Sequence, residues 1–325
     1  MKFYLYGEDK ENEYYHRSGM NYIKNIINEN IIDNNSDILF IPNIDKSILW
    51  SYDNYINNIK NPEKNKWIGI LHITNTKLIF NPNIKLDIIE LLDDKNSNFY
   101  KCYKNCKGIY VFSNYLKIIL DNYFFKNNIN IKINILHHPI DFNVKQFNYE
   151  NFLNNNNKKL IQIGQQLRVY SHIYRINTDY EKIWLPGIST ILAKKLLKKE
   201  RDYFNLNIDT ESIKRLKLNN DEYDEILIKN IVTINLYDSS ANNTLIECIV
   251  RNVPIIINKC EAVVEYLGEY YPLYFNTIND IENILKDNIL IYKGYDYLRR
   301  LDKDFLKKET FIKKMIESEI ILNLK

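Results

Sequence analysis

Glycine is scarce in this chain, with eight in 325 residues. They stand alone, so neither the G-x-G-x-x-G turn of dinucleotide-binding domains nor a P-loop is present. Nicotinamide-type and P-loop readings are thereby excluded. Cysteine occurs four times. Cys102 and Cys106 are near neighbours while Cys248 and Cys260 lie elsewhere, which matches neither paired metal knuckles nor a secreted disulfide framework. All four are read as ordinary thiols. No run approaches the ~20 apolar residues of a membrane span. The apolar start at Phe3 to Leu5 turns polar at once, unlike a signal peptide. An intracellular, cytoplasmic protein is therefore expected. Neither sign of charge dominates: a net +3 without clustering on one face points to no nucleic-acid partner.

What the chain does have is an abundance of Asn, Ile, Lys and Tyr, a bias that A/T-rich codons produce by themselves, so the Asn runs carry no functional weight. The length exceeds the ~100 to 200 residues usual for one domain. Short β-branched runs alternate with longer helical patterns, the rhythm of parallel α/β units. In the first half the expected strands are Lys2 to Tyr6, Asp37 to Ile41, Trp67 to His72, Gly108 to Phe112 and Lys132 to Leu136. A polar, Asn-dense stretch from Phe147 to Lys159 reads as a linker. A second series follows: strands at Lys159 to Ile163, Asn230 to Leu236, Pro254 to Asn258 and Tyr271 to Phe275, with a lysine-rich helix over Thr190 to Phe204. The domains are placed at 1–150 and 158–325. The tail from Leu298 to Leu324 reads as one or two amphipathic helices, candidates for packing back on the first domain. Two doubly wound domains in tandem leave a cleft, and open parallel sheets bind ligands beyond the C-terminal ends of their strands.

The richest segment runs from Tyr237 to Asn258. A strand ends near Leu236, a small polar loop follows with Asp238 and Ser239, and a helix begins near Asn242, Asn243 and Thr244. Unsatisfied N–H groups and the positive dipole end at such a start suit a pyrophosphate. Glu247 then falls near the helix start, where its carboxylate can accept from two ribose hydroxyls. The same residues also read as a plain cap, with Glu247 as a dipole-favourable charge.

This segment resembles the donor-binding strand, loop and helix of GT-B glycosyltransferases, in particular the retaining group called family 4. Glu247, Asn252-Val253-Pro254 and Ile255 to Asn258 match the family's glutamate, tight turn and following strand. The family's other glutamate falls here at Ser239, with Asp238 beside it as a substitute. Cys260 to Gly268 is similar to the next loop and helix, with Glu265 at the acidic position. Leu160 to Gly164, followed by Arg168 and Arg175, resembles the first donor-domain strand and its basic residues near the diphosphate. In the first half, Gly108 to Ser113 and Ile135 to Asp141 match two further strands, with His137 and His138 in the second. Gly19, in Arg17-Ser18-Gly19-Met20-Asn21, stands where the family has a glycine loop close to the donor phosphates. His72 ends a strand where a histidine can orient the donor sugar or meet the acceptor.

The resemblance implies two Rossmann-like domains and transfer of a sugar from a UDP- or GDP-linked donor to a hydroxyl on a glycan, lipid or other acceptor. Arg168, His72 and Glu247 are the residues expected to carry the chemistry. Gly19, Gly164, Arg175, Asp238, Ser239, Asn242, Asn243, Thr244, Glu247 and Glu265 are expected to bind the donor. No cofactor and no metal are expected, because Asp302-Lys303-Asp304, the one Asp-x-Asp triplet considered, sits in a helical pattern rather than after a strand. The lysines between Leu192 and Arg201 allow peripheral membrane contact, although a solvated helix face explains them too. Two rivals remain: a GT-B-like nucleotide-sugar epimerase, and a non-catalytic binding protein that keeps the fold.

Overall fold

Among the described residues the named strands pair in parallel, which requires a crossover after each one and accounts for the alternation in the sequence. The structure, a computed structural model, describes residues 2–7, 18–50, 60–81 and 87–324. The chain divides into two compact units, one of Met1–Lys77, Lys85–Asp141 and Asp304–Lys325, the other of Leu78–Ile84 and Phe142–Lys303.

The first unit contains β1 (Tyr4–Leu5), α1 (Met20–Ile31), β2 (Leu39–Ile41), β3 (Trp67–Leu71), α2 (Ile88–Asp93), α3 (Asn98–Cys102), β4 (Cys106–Val111), α4 (Asn114–Lys126) and β5 (Ile133–Ile135). Its sheet runs in chain order, β1-β2-β3-β4-β5. Among the described strands the direction of winding therefore never reverses. The central strand β3 is buried along its whole length, as a strand covered on both faces must be. Its Gly69 admits the neighbouring strand closely, since a Cβ there would lie 2.5 Å from the Ile41 carbonyl.

The second unit contains α5 (Tyr149–Leu153), β6 (Lys159–Ile163), α6 (His172–Arg175), β7 (Glu181–Leu185), α7 (Thr190–Tyr203), β8 (Lys214–Arg215), α8 (Asn220–Leu227), β9 (Ile231–Ile234), α9 (Asn243–Arg251), β10 (Ile255–Asn258), α10 (Glu261–Leu267), β11 (Tyr274–Phe275), α11 (Ile278–Lys286) and α12 (Asn288–Arg300). The sheet order is β11-β10-β9-β6-β7-β8. The chain moves outward from β6 to β8, returns to the other side of β6, and moves outward again from β9 to β11. That reversal between β6 and β9 is the topological switch point of a doubly wound sheet.

The stretch expected as a linker is partly helical: Asn148 caps α5 by accepting from the Asn151 N–H, and the division of the chain falls earlier, after Asp141. Two strands, β7 and β8, were not anticipated, because charged Glu181, Lys182, Lys214 and Arg215 interrupt their apolar pattern. The helix α8 was missed as well, although Asn219 and Glu222 form the capping box that announces it.

The end of the chain adds α13 (Lys308–Ile316) and α14 (Glu319–Leu322) to the first unit. Ser318 caps α14 and its hydroxyl lies 2.7 Å from Tyr110 Oη of β4. Ile320 fills the space left by Gly108, where a Cβ would meet it at 2.5 Å. Asp304 opens a short 3-10 turn, Asp304–Leu306, following α12 rather than a strand, as a helix-end reading of that triplet requires.

Candidate functional site

At the switch point of the second sheet the chain leaving β6 turns back on itself. Gly164 takes a positive φ of 81° and Leu167 one of 57°. The segment then runs antiparallel to the exit of β9: Val169 N–H donates to Asn235 O at 2.8 Å and Tyr237 N–H to Leu167 O at 2.9 Å. Arg168 lies between, bridged to Leu236. This pairing delivers its guanidinium to the start of α9.

There Arg168 is 9% exposed and, among the described residues, donates to neutral acceptors. Nε binds Ile163 O at 2.8 Å, Nη1 binds Gln166 O at 2.6 Å, and Nη2 binds Asn242 Oδ1 at 3.1 Å and Thr244 Oγ1 at 3.0 Å. Burial pulls its pKa down to about 10, which leaves it charged at neutral pH. Among the described residues no carboxylate pairs with it. Asn242 also caps α9, accepting from Leu245 N–H at 3.1 Å. A buried cation thus sits beside the positive end of a helix dipole, an arrangement that an anion would relieve.

The adjoining loop is equally enclosed. Asp238, Ser239 and Ser240 are buried, and Asp238 Oδ1 accepts from Ser239 N–H at 2.7 Å. Asn243 is exposed and Thr244 buried. The helix behind them is buried on nearly every side, its apolar Leu245, Ile246, Ile249 and Val250 among the buried residues, each such side chain contributing roughly 1.5 to 3 kcal/mol. Asn252 closes it in the left-handed region at φ 60°, doing the work of the usual glycine at a helix end.

Glu247 departs from expectation. It lies beyond the first turn of α9, is 3% exposed, and its Oε2 accepts from Arg251 Nε at 3.2 Å and pairs with Nη2 at 3.0 Å. Arg251 Nη2 also lies 2.9 Å from Asp224 Oδ1 of α8. Instead of an open carboxylate or a cap, Glu247 is one arm of a buried acid–arginine–acid cluster. The spacing of Glu247 and Arg251 along one helix announced this pairing. Arg175 ends α6 with an exposed side chain, away from the close contacts that hold Arg168. Glu265 is half-buried within α10.

In the first unit, the C-terminal edge of the sheet gathers a second group. Asp45, fully buried, follows β2, and His72 follows β3. Asp45 Oδ2 accepts from the His72 backbone N–H at 3.3 Å and pairs with the ring Nδ1. Burial works to lower the pKa of His72, and the charge and hydrogen bond of Asp45 more than offset it, so the imidazole titrates above its usual 6.5. Phe112, beyond β4, lies between His72 and His138, at ring distances of 6.2 and 4.8 Å. Asp45 is the member of this group that sequence reading missed; nothing in its local pattern marks it. Gly19 caps α1 with φ 85°, a conformation that favours glycine. Arg17 of that run lies outside the described residues.

No family model matches the chain, and no curated protein matches it in sequence. Solved structures do match in shape. TarM from S. aureus superposes with a TM-score of 0.56 at 13% identity, over 86% of this chain and 54% of its own. This chain thus spans about half of TarM's length. HepE from Anabaena, solved in complex with UDP-glucose, gives 0.58 at 8% identity over 86% and 78%. A sucrose-phosphate synthase from Thermosynechococcus elongatus gives 0.55 at 9% over 91% and 75%. At such identities what is shared is architecture, and with its two parallel sheets this chain has the fold of the GT-B glycosyltransferases.

Proposed function

We propose that this protein is a glycosyltransferase that takes a sugar from a nucleoside-diphosphate sugar and passes it to a hydroxyl group. The observation that carries the reading is Arg168, a buried guanidinium without a carboxylate partner among the described residues, placed at the start of α9 by Asn242 and Thr244. In the proposed reaction the bond between the sugar's anomeric carbon and the diphosphate oxygen breaks, and the diphosphate leaves with the electron pair. The acceptor oxygen bonds to that carbon, and its proton passes to the departing diphosphate. Arg168 and the N–H groups of α9 stabilise the departing charge where water is excluded.

The structures of HepE with UDP-glucose and of TarM with UDP and a GlcNAc-glycerol favour a UDP-linked donor and a sugar-bearing acceptor; GDP is the other base considered. Retention at the anomeric centre and independence from metal belong to the same proposal. The first comes from the resemblance to family 4. The second is supported by positive groups already in place for the diphosphate. Acceptors held at a membrane surface fit as well, since exposed Ile191 of α7 is flanked by exposed Lys195 and Lys198.

The test is incubation with UDP- and GDP-sugars, following release of the nucleoside diphosphate, beside calorimetric titration of UDP and GDP. Binding of neither nucleotide would overturn the proposal. Binding without any hydrolysis or transfer would favour a second reading, a nucleotide-binding protein that has lost its chemistry. Ser239 in place of a glutamate and the engagement of Glu247 by Arg251 support that reading.

A further inference from the structure

One carboxylate reaches both of the loops that build the anion site. Glu200 of α7 is fully buried. Its Oε1 accepts from Tyr237 Oη at 2.6 Å, and its Oε2 accepts from the Ser171 backbone N–H at 2.8 Å. Tyr237 opens the β9–α9 loop, while Ser171 closes the β6 loop that carries Arg168. We infer that Glu200 is a positioning residue for diphosphate binding, holding these two loops in the register that delivers Arg168 to the start of α9. The inference rests on the donor-site reading above.

A carboxylate suits this task because it is acceptor-only. Both donors must point at it, and neither loop can turn its group away without leaving a buried charge unmet. Among the described residues no lysine or arginine forms an ion pair with Glu200. Arg175 acts on it only at longer range, and Tyr170 and Tyr237 are its aromatic neighbours. Burial raises its pKa, opposed by the bonds from Tyr237, Ser171 and Tyr170. Burying a carboxylate without a countercation is costly, and the fastening of two loops that are separate in sequence is what the molecule gains from it. The loops also bond directly, through Tyr237 N–H to Leu167 O, so the clamp sets alignment rather than mere proximity.

The experiment compares wild type with Tyr237→Phe, Glu200→Gln and Arg168→Gln, titrating UDP by calorimetry and following uridine by ligand NMR, with GDP and guanosine in parallel. Tyr237→Phe keeps the ring that packs 5.9 Å from Phe80 and removes only the clamp bond. It and Glu200→Gln should each weaken diphosphate binding about tenfold, with nucleoside binding unchanged. Equal weakening of nucleotide and nucleoside would reduce Glu200 to a structural role and overturn the inference. If Arg168→Gln abolishes diphosphate binding while Tyr237→Phe and Glu200→Gln leave it intact, the clamp fails and the donor-site reading survives. If Arg168→Gln leaves diphosphate binding intact, the reading of the site itself fails and the clamp with it.

Discussion

Gly164 and Arg168 share one space: a Cβ on Gly164 would lie 2.6 Å from Arg168 Nε and 2.7 Å from Cζ. The glycine also holds φ at +81°, where a side chain is strained whatever the room. Gly164→Ala should therefore act twice, straining the backbone by about 1 to 3 kcal/mol and pushing the guanidinium off Asn242 and Thr244. Thermal melts should show the first effect and UDP titration the second. A variant with wild-type affinity would show that the guanidinium need not lie where it does.

Glu247→Ala should cost stability first. Reading the chain as a ribose-binding carboxylate near a helix start leads to an intact fold and weaker nucleotide binding. The structure instead predicts that the change leaves Arg251, 1% exposed, with Asp224 as its remaining acidic partner. Breaking a buried ion pair by removing one member costs roughly 3 to 5 kcal/mol. Urea unfolding of Glu247→Ala and Arg251→Met, alone and together, measures it. If the pair is coupled, the double variant should lose much less than the sum of the two. Additive losses would mean that the cluster contributes nothing as a unit.

His72 should titrate above 6.5, its ordinary value, because Asp45 outweighs burial. A histidine whose folded pKa is raised contributes stability that is fully present below its unfolded pKa and is lost as pH rises through the folded one. In Asp45→Asn only burial remains, so the ring should titrate below 6.5 and the stability gained on acidification should vanish. Ring-proton NMR follows the first, and denaturation at a series of pH values the second. An unshifted His72 in Asp45→Asn would remove Asp45 as the cause.

Chelation should leave nucleotide binding and turnover unchanged if Arg168 and the start of α9 carry the diphosphate charge. Assay with excess EDTA, and again with Mg²⁺ or Mn²⁺ restored, checks this. Loss on chelation with recovery on adding metal would move the charge-stabilising role away from Arg168.

Much of the fold is written locally. β6, with its run Leu160 to Ile163, and α9, opened by Asn242 and closed by Asn252, follow from side-chain period and capping chemistry that act within a few residues. Even the Glu247–Arg251 pair was legible, since residues one helical turn apart face each other. What the sequence could not determine was which distant segments meet. Strand order is decided by pairing between elements, so the reversal between β6 and β9, and the lack of one among β1 to β5, appear only in three dimensions. The site depends on that reversal: Arg168 meets Thr244, 76 residues further along the chain, because β6 and β9 lie side by side. Likewise Asp45 meets His72 across 27 residues because β2 and β3 are neighbours, and burial then sets that histidine's charge. Local preferences shape the elements; hydrogen-bonded register and exclusion of water decide which side chains share a site.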